Sequence, residues 1–377
     1  MESDNKLFLL DAYALIYRAY YAFIKNPRIN SKGFNTSAIL GFVNTLEEVL
    51  KKENPTHIGV AFDPAGPTFR HEAFEQYKAQ REETPEAIRL SVPIIKEIIR
   101  AYRIPILEVA GYEADDVIGT LATEAGRQGI ITYMMTPDKD YGQLVSDKVF
   151  MYRPKHTGGF EVMGVDEVKA KFDIQSPAQV IDMLGLMGDS SDNIPGCPGV
   201  GEKTAQKLIA EFGSIENLLE HTDQLKGALK TKVETNREMI TFSKFLATIK
   251  IDVPIQLDMD SLVREQADED SLRQIFEELE FRTLIDRVLK KENAGNGITT
   301  PTGNKTAAEK SNLAPLPLFP EEGGAVQGDL FANFTGNEPG EAKNSNLATL
   351  ETLNCDYQLI DTEEKRSELL QNLLTKE

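Results

Sequence analysis

The sequence predicts an α/β fold with a mainly parallel sheet and helices on both faces, followed by an all-helical part. Three observations lead there. Short, continuous apolar runs (KLFLL at 6–10, HIGVAF at 57–62, IITYMM at 130–135) read as strands buried on both sides. Amphipathic helical stretches separate them, as parallel crossovers require. The runs lead into acids: Asp11, Asp63 and, through Thr136-Pro137, Asp138. In an open parallel sheet the carboxyl edge is where ligands bind, so scattered acids become one site if the sheet is parallel.

Taken in order, Lys6–Leu10 is the first strand and Ala12–Ala22 the helix after it. Thr36–Lys52 is a second amphipathic helix, closed by Asn54-Pro55. His57–Phe62 is the second strand, ending at Asp63-Pro64. From Pro64 to Arg103 the chain leaves the sheet, with Arg70, His71, Lys78, Arg81 and Arg89 among Phe69, Phe74 and Tyr77. This stretch reads either as a solvated helical insertion or as a movable cover whose cations contact phosphate and whose aromatics stack on bases. Thr84-Pro85 marks a helix start, and Pro93 is expected to kink or break that helix. Ile106–Val109 is a brief strand, and Ala114–Ala125 a helix burying Ala114, Val117, Ile118, Leu121 and Ala125. Ile130–Met135 and Val149–Tyr152 add two strands.

Ser176-Pro177-Ala178-Gln179 is a capping box opening a helix that runs to Met187. GDSSDN comes next, carrying Asp189 and Asp192, and then the Gly/Pro hairpin IPGCPGVG over Ile194–Gly201. The hairpin feeds a helix over Glu202–Phe212, stopped by Gly213. Helices joined this way present backbone amides at a helix N-terminus, here around Gly196, Gly199, Val200 and Gly201, with Lys203, Thr204 and Lys207 beside them. That suits a DNA backbone of any sequence; a tight corner between helices is the plain alternative. Helical, charge-rich sequence continues to Lys291. From Glu292 to Asn346 periodicity vanishes, as in a flexible linker, apart from LPLF (316–319) and QGDLF (327–331). Tyr357–Asp361 and Thr362–Leu374 read as a strand and a helix, too short to make a domain.

The composition sets limits. The 377 residues carry a net charge of −19, which taken alone argues against a nucleic-acid partner. Part of that charge could be metal ligands, and another part is concentrated in Asp258–Glu280, so the local field of a groove decides. Cys197 and Cys355 are too far apart in sequence to suggest a disulfide framework or a zinc site, and a reducing cytoplasm is expected. No apolar run is long enough for a bilayer, and MESDNKLFLLDAY lacks the basic start of a signal peptide, so no membrane partner is expected.

GYEADD (111–116) and TPDKD (136–140) place Glu113, Asp115, Asp116, Asp138 and Asp140 beside apolar segments. Carboxylates so near one another repel and are costly to desolvate. Lys139 is their only basic neighbour in sequence, so hard divalent cations are the natural counter-charge, with Mg²⁺ the default where phosphates are handled. For GYEADD by itself, a solvated acidic helix start is equally open. The four histidines sit in no Ser/His or Cys/His arrangement.

The ordered motifs LFLLDAYALIYRAYYA, VAFDPAGPTFRHEAFEQYKAQR, GYEADD, TPDKD and GDSSDNIPGCPGVGEKTA resemble the 5′-nuclease domain of bacterial DNA polymerase I, related to the flap endonucleases, from Lys6 to Lys291. The resemblance implies a nuclease core over 1–175 with a helical arch at 64–103. It further implies a helix-hairpin-helix (H3TH) subdomain within 176–291, a linker at 292–350 and the start of a 3′-exonuclease-like domain at 351–377. It implies metal ligands at Asp11, Asp63, Glu113, Asp115 and Asp116 for one ion, and at Asp138, Asp140, Asp189 and Asp192 for another. The two ions would be Mg²⁺, with Mn²⁺ able to substitute, about 4 Å apart. A monovalent cation, K⁺, is implied at the hairpin. Asp115, Asp116, Lys78 and Arg81 would be catalytic, and Arg70 and Tyr77 would join Lys78 and Arg81 in touching DNA.

The implied activity is 5′-3′ exonuclease and 5′-flap endonuclease action on flaps, nicks and branched duplex, in primer removal and repair. It would be carried out by a monomer in the cytoplasm, at the nucleoid. Polymerase motifs are absent, so this chain is not expected to polymerise. A metal-dependent ribonuclease on a similar acidic core and a non-catalytic binder of DNA junctions remain alternatives. QGDLF, through Gln327, Leu330 and Phe331, resembles the short peptides that dock replication proteins on the sliding clamp.

Overall fold

A computed structural model describes residues 5–155 and 159–289. The expected linker, the QGDLF peptide and the strand and helix after it lie outside the described residues.

The chain begins with β1 (Lys6–Asp11), α1 (Ala12–Ala22), α2 (Ser37–Lys52) and β2 (His57–Ala61). Next come α3 (Phe69–Ala73), α4 (Glu86–Ala101), β3 (Ile106–Leu107) and α5 (Ala114–Arg127). The sheet is completed by β4 (Ile131–Met135), β5 (Val149–Pro154) and β6 (Phe160–Met163). Among the described residues the strand order is β3-β2-β1-β4-β5-β6, parallel throughout except for the β5–β6 pair.

The apolar continuity of β1 has a direct cause. Leu7 and Leu9 face a core shared with Val117, Ile118 and Leu121 of α5. Phe8 and Leu10 face the opposite core, with Ile39, Phe42 and Leu46 of α2 and Ile95, Ile98 and Ile99 of α4. Both faces are covered, so alternation with polar residues is lost. The order reverses at β1, which pairs with β2 on one side and β4 on the other, so a crevice opens past the carboxyl ends of these strands.

Two expectations need correcting. The sequence predicts five strands before residue 175, and the structure adds β6, whose Phe160 stacks on Tyr152 of β5 with ring centroids 4.7 Å apart. FEVM is too short to announce itself; its pairing with β5 makes it a strand. Pro93 does not break its helix: α4 runs through it, because Pro93 lies on the exposed face where the carbonyl it leaves unbonded meets water. Residues 86–101 are therefore not a cover, since Ile88, Ile95, Ile98 and Ile99 are core. From 64–103, α3 and residues 77–81 bring side chains to the acids at the carboxyl edge.

The remaining helices are α6 (Val165–Phe172), α7 (Val180–Met187), α8 (Glu202–Phe212), α9 (Ile215–Glu220), α10 (Gly227–Thr235) and α11 (Arg237–Ala247). They are followed by α12 (Glu269–Glu278) and α13 (Arg282–Leu289). The helix at 176–187 opens as a 3₁₀ turn over Pro177–Gln179, whose capping box is formed: Ser176 Oγ accepts from Ala178 N and Gln179 Oε1 from Ser176 N. Among the described residues no helix is long and apolar enough to cross a membrane.

Candidate active site

Asp11 is the last residue of β1 and caps α1: its Oδ1 accepts from Ala14 N at 3.1 Å. Its Oδ2 accepts from Tyr141 OH at 3.1 Å and Thr136 Oγ1 at 3.3 Å. Burial, with Asp63 and Asp138 nearby, pushes its carboxyl up to about 7. Asp63 lies just past β2 and reaches across to α5, where its Oδ1 accepts from Ala114 N at 2.7 Å. Glu113 is the N-cap residue of α5, with Asp115 and Asp116 in its first turn, so the helix dipole favours all three carboxylates. Asp138 caps the 3₁₀ turn that comes after β4 and binds Asp140 N. Asp189 and Asp192 come from the loop after α7. The nine acids singled out in the sequence thus meet at one carboxyl edge.

They do not all meet it in the same state. Arg70, on α3, inserts a side chain that is 1% exposed and grips Asp116 with both prongs, Nη1–Oδ2 and Nη2–Oδ1 each 2.8 Å. Its Nη1 also donates to Glu113 Oε2 at 3.1 Å. Lys78 Nζ donates to Glu113 Oε1 at 2.9 Å and lies 3.7 Å from Asp192 Oδ2. Arg81 Nη2 pairs with Asp192 Oδ1 at 2.5 Å, and Lys139 Nζ with Asp189 Oδ2 at 3.0 Å. Burial, the largest single influence, would raise Glu113 and Asp192, but Lys78 together with Arg70 at Glu113, and with Arg81 at Asp192, outweighs it. Both are held below the usual carboxylate range. The stretch 76–81 is latched to the 190–193 loop. Lys78 N donates to the Asp192 carbonyl at 3.0 Å, Arg81 Nε to that of Ser191 and Asn193 Nδ2 to that of Gln76. Lys78 itself stands in the left-handed region, at φ 57°.

Sequence reasoning missed this counter-charge, because Arg70 and Lys78 lie tens of residues from the acids they meet. It also assigned several residues to roles that their burial rules out. Arg70 and Tyr77 do not face DNA: Arg70 is enclosed, and Tyr77, 3% exposed, gives its hydroxyl to Glu113 and Asp192. Asp116 is fully buried, its oxygens filled by Arg70, Glu113 N and Lys250 N, which leaves no lone pair facing the crevice for a cation or for catalysis. Among the described residues no group of three acids stands ready as a cation cage.

The rest of the set fits a divalent cation. Asp63 and Asp138 are exposed at the rim. Asp115 is pushed up by burial and by Asp116, only partly offset by Arg70. Asp140 is raised by burial and by Asp138 and Asp189, and its buried Oδ1 has no hydrogen-bond partner among the described residues. Hard oxygen donors with unmet charge are what Mg²⁺ or Mn²⁺ takes.

The hairpin lies directly after Asp189–Asp192. An added Cβ at Gly196 would lie 2.3 Å from the nitrogen of Gly188, so the loop closes only on glycine. Its amide is already used, donating to Ser243 Oγ of α11 at 2.9 Å, and that of Val200 donates to the Cys197 carbonyl. Neither is open to a phosphate, contrary to expectation. Gly199, Gly201, Lys203 and Lys207 are exposed and Thr204 is half-buried, around the N-terminus of α8.

Residues 6–173 match the family described as 5′-3′ exonuclease, N-terminal resolvase-like domain, and residues 175–270 match 5′-3′ exonuclease, C-terminal SAM fold. The chain is 42% identical to DNA polymerase I of Bacillus caldotenax over 75% of its own length and 32% of that protein's. It is 43% identical to DNA polymerase I of Bacillus subtilis over 76% and 33%. It therefore spans about a third of the length of the curated relatives it matches. Among solved structures, T5 5′-exonuclease with bound zinc ions superposes with a TM-score of 0.56 at 21% identity, covering 74% of this chain and 99% of that one. The catalytic core of Rad2 in complex with DNA gives 0.52 at 19% identity, covering 75% and 93%. At such identities these two likenesses speak to the fold.

Proposed function

The chain belongs to the 5′-3′ exonuclease family, and on that premise we propose that it is a structure-specific 5′ nuclease that hydrolyses DNA phosphodiesters at the acid-lined carboxyl edge. The observation that carries the reading is the meeting of Asp11, Asp63, Asp115, Asp138 and Asp140 from three strand ends and one helix start, directly beside the glycine hairpin. Two divalent cations, Mg²⁺ by preference, would be held by these acids and would supply the charge that lowers the pKa of water and stabilises the leaving 3′-oxygen. The chain's own groups do the rest. The exposed Lys203 and Lys207, with the N-terminus of α8, hold a duplex backbone. Lys78 and Arg81, which neutralise Glu113 and Asp192 in the DNA-free protein, exchange those partners for the scissile phosphate, where charge builds up during in-line attack. Glu113 and Asp192 are thereby freed to face the cations. The products are a fragment with a 5′-phosphate and a ligatable 3′-hydroxyl. The polymerase activity of the longer relatives is not assigned to this chain.

The test is cleavage of a labelled 5′-flap DNA with Mg²⁺ and with a chelator. Cleavage is expected only with the metal. An Asp115→Ala protein that binds the flap without cutting it supports the reading, and unchanged cleavage by that variant rejects the site.

A further inference from the structure

Arg70 does more than neutralise acids. All five of its N–H donors are used, and they reach two different elements. Toward α5, two go to Asp116 and one to Glu113. Toward α11, Nε donates to the Leu246 carbonyl and Nη2 to that of Thr248, both at 2.9 Å, where the end of a helix favours a cation. The same helix carries the hairpin: Ser243 Oγ, one turn earlier, accepts from Gly196 N. Lys244 of α11 pairs with Asp182 of α7 at 2.6 Å. One enclosed guanidinium therefore joins the helix start that bears the acids to the helix end that supports the DNA grip.

We propose that Arg70 is a positioning residue that fixes Glu113 and the first turn of α5 relative to the hairpin-bearing α11. A duplex seated on the hairpin then meets the acids in register. The proposal rests on the nuclease reading above. Its physical basis is the planar fork, which binds in two directions at once and which a lysine cannot imitate. A misplacement of an ångström at a reacting centre costs on the order of 100-fold in rate.

The test uses Arg70→Lys, which keeps the charge and loses the fork. Flap-DNA affinity is read by fluorescence anisotropy with Ca²⁺, single-turnover cleavage at saturating DNA with Mg²⁺, and Mn²⁺ binding to the DNA-free protein by calorimetry. Expected are an affinity for DNA within two-fold of the parent, a cleavage rate at least 30-fold lower, and Mn²⁺ binding at least five-fold weaker. An unchanged rate, or a rate loss no greater than the loss of DNA affinity, overturns the proposal. If the parent protein binds the flap but does not cut it, the nuclease reading falls by itself. Mn²⁺ binding then decides the role of Arg70, weakened supporting it and unchanged overturning it. Should Arg70→Lys fail to fold by circular dichroism, Ser243→Ala takes its place, with Arg70 intact. It is expected to slow single-turnover cleavage at least five-fold at saturating DNA while Mn²⁺ binding stays as in the parent, and an unchanged rate overturns the link.

Discussion

Glu113 and Asp192 have cationic side chains within 2.9 Å and 2.5 Å, whereas Asp11, at the same edge, is held among the described residues by two hydroxyls and an amide. The first two are kept below the usual carboxylate range; Asp11 is pushed up to about 7. The difference shows how one polyanionic edge can fold at all. Half of it is neutralised by the protein's own lysine and arginine, and the other half is left for protons or metal ions. On the proposed mechanism Lys78 and Arg81 would leave the first set for the substrate phosphate, whereas the second set would need cations from solution from the start.

The strongest way to break the comparison is Asp115→Ala. Cleavage of a 5′-flap should fall by about 1,000-fold or more, with DNA affinity kept, as measured by single-turnover assay and anisotropy. Lys78→Ala attacks the self-neutralised half. We expect cleavage to fall about 100-fold, and the Mg²⁺ concentration giving half the maximal rate to drop rather than rise, because Glu113 and Asp192 lose a competing cation. A rise would mean that Lys78 helps to hold the metal site together.

The pH dependence of stability sharpens the same contrast, since the two halves carry opposite signs. Asp11 takes up protons more readily when folded (about 7) than its ordinary 3.8. Its contribution is full below about 4 and is lost as pH rises through 7, at most about 4 kcal/mol in metal-free protein. Glu113 and Asp192 are lowered, so their contribution is present above about 4 and lost as pH falls below it. Melting curves of metal-free protein should therefore show stability declining from pH 5 to pH 8, a decline that Asp11→Asn flattens and that added Mn²⁺ offsets. The smallest effect is at the grip. Lys203→Ala and Lys207→Ala should each weaken DNA binding a few-fold and reduce the salt dependence by about one ion.

The sheet and the acids were legible because each leaves a local mark. A run buried on both faces has no polar alternation, and a strand end facing a crevice carries its acid within three residues: Asp11 closes β1, Asp63 lies two past β2 and Asp138 three past β4. The groups that neutralise them leave no such mark. Arg70 reads as one more cation in a mixed-charge stretch, and only the tertiary fold turns it inward to Asp116 and Thr248. Tyr141 and Thr136, which hold Asp11, are separated from it by more than a hundred residues. The same limit misplaced Gly196 and Val200. A glycine hairpin announces a tight loop, but which of its amides stay free depends on partners such as Ser243.

The backbone of Lys78 stands at φ 57°, a region that disfavours side chains, and is kept there by the Asp192 carbonyl. That left-handed placement costs about 1 kcal/mol against the right-handed basin. If the backbone relaxed as the side chain passed to a phosphate, that cost would be returned and would offset part of what breaking the ion pairs to Glu113 and Asp192 demands.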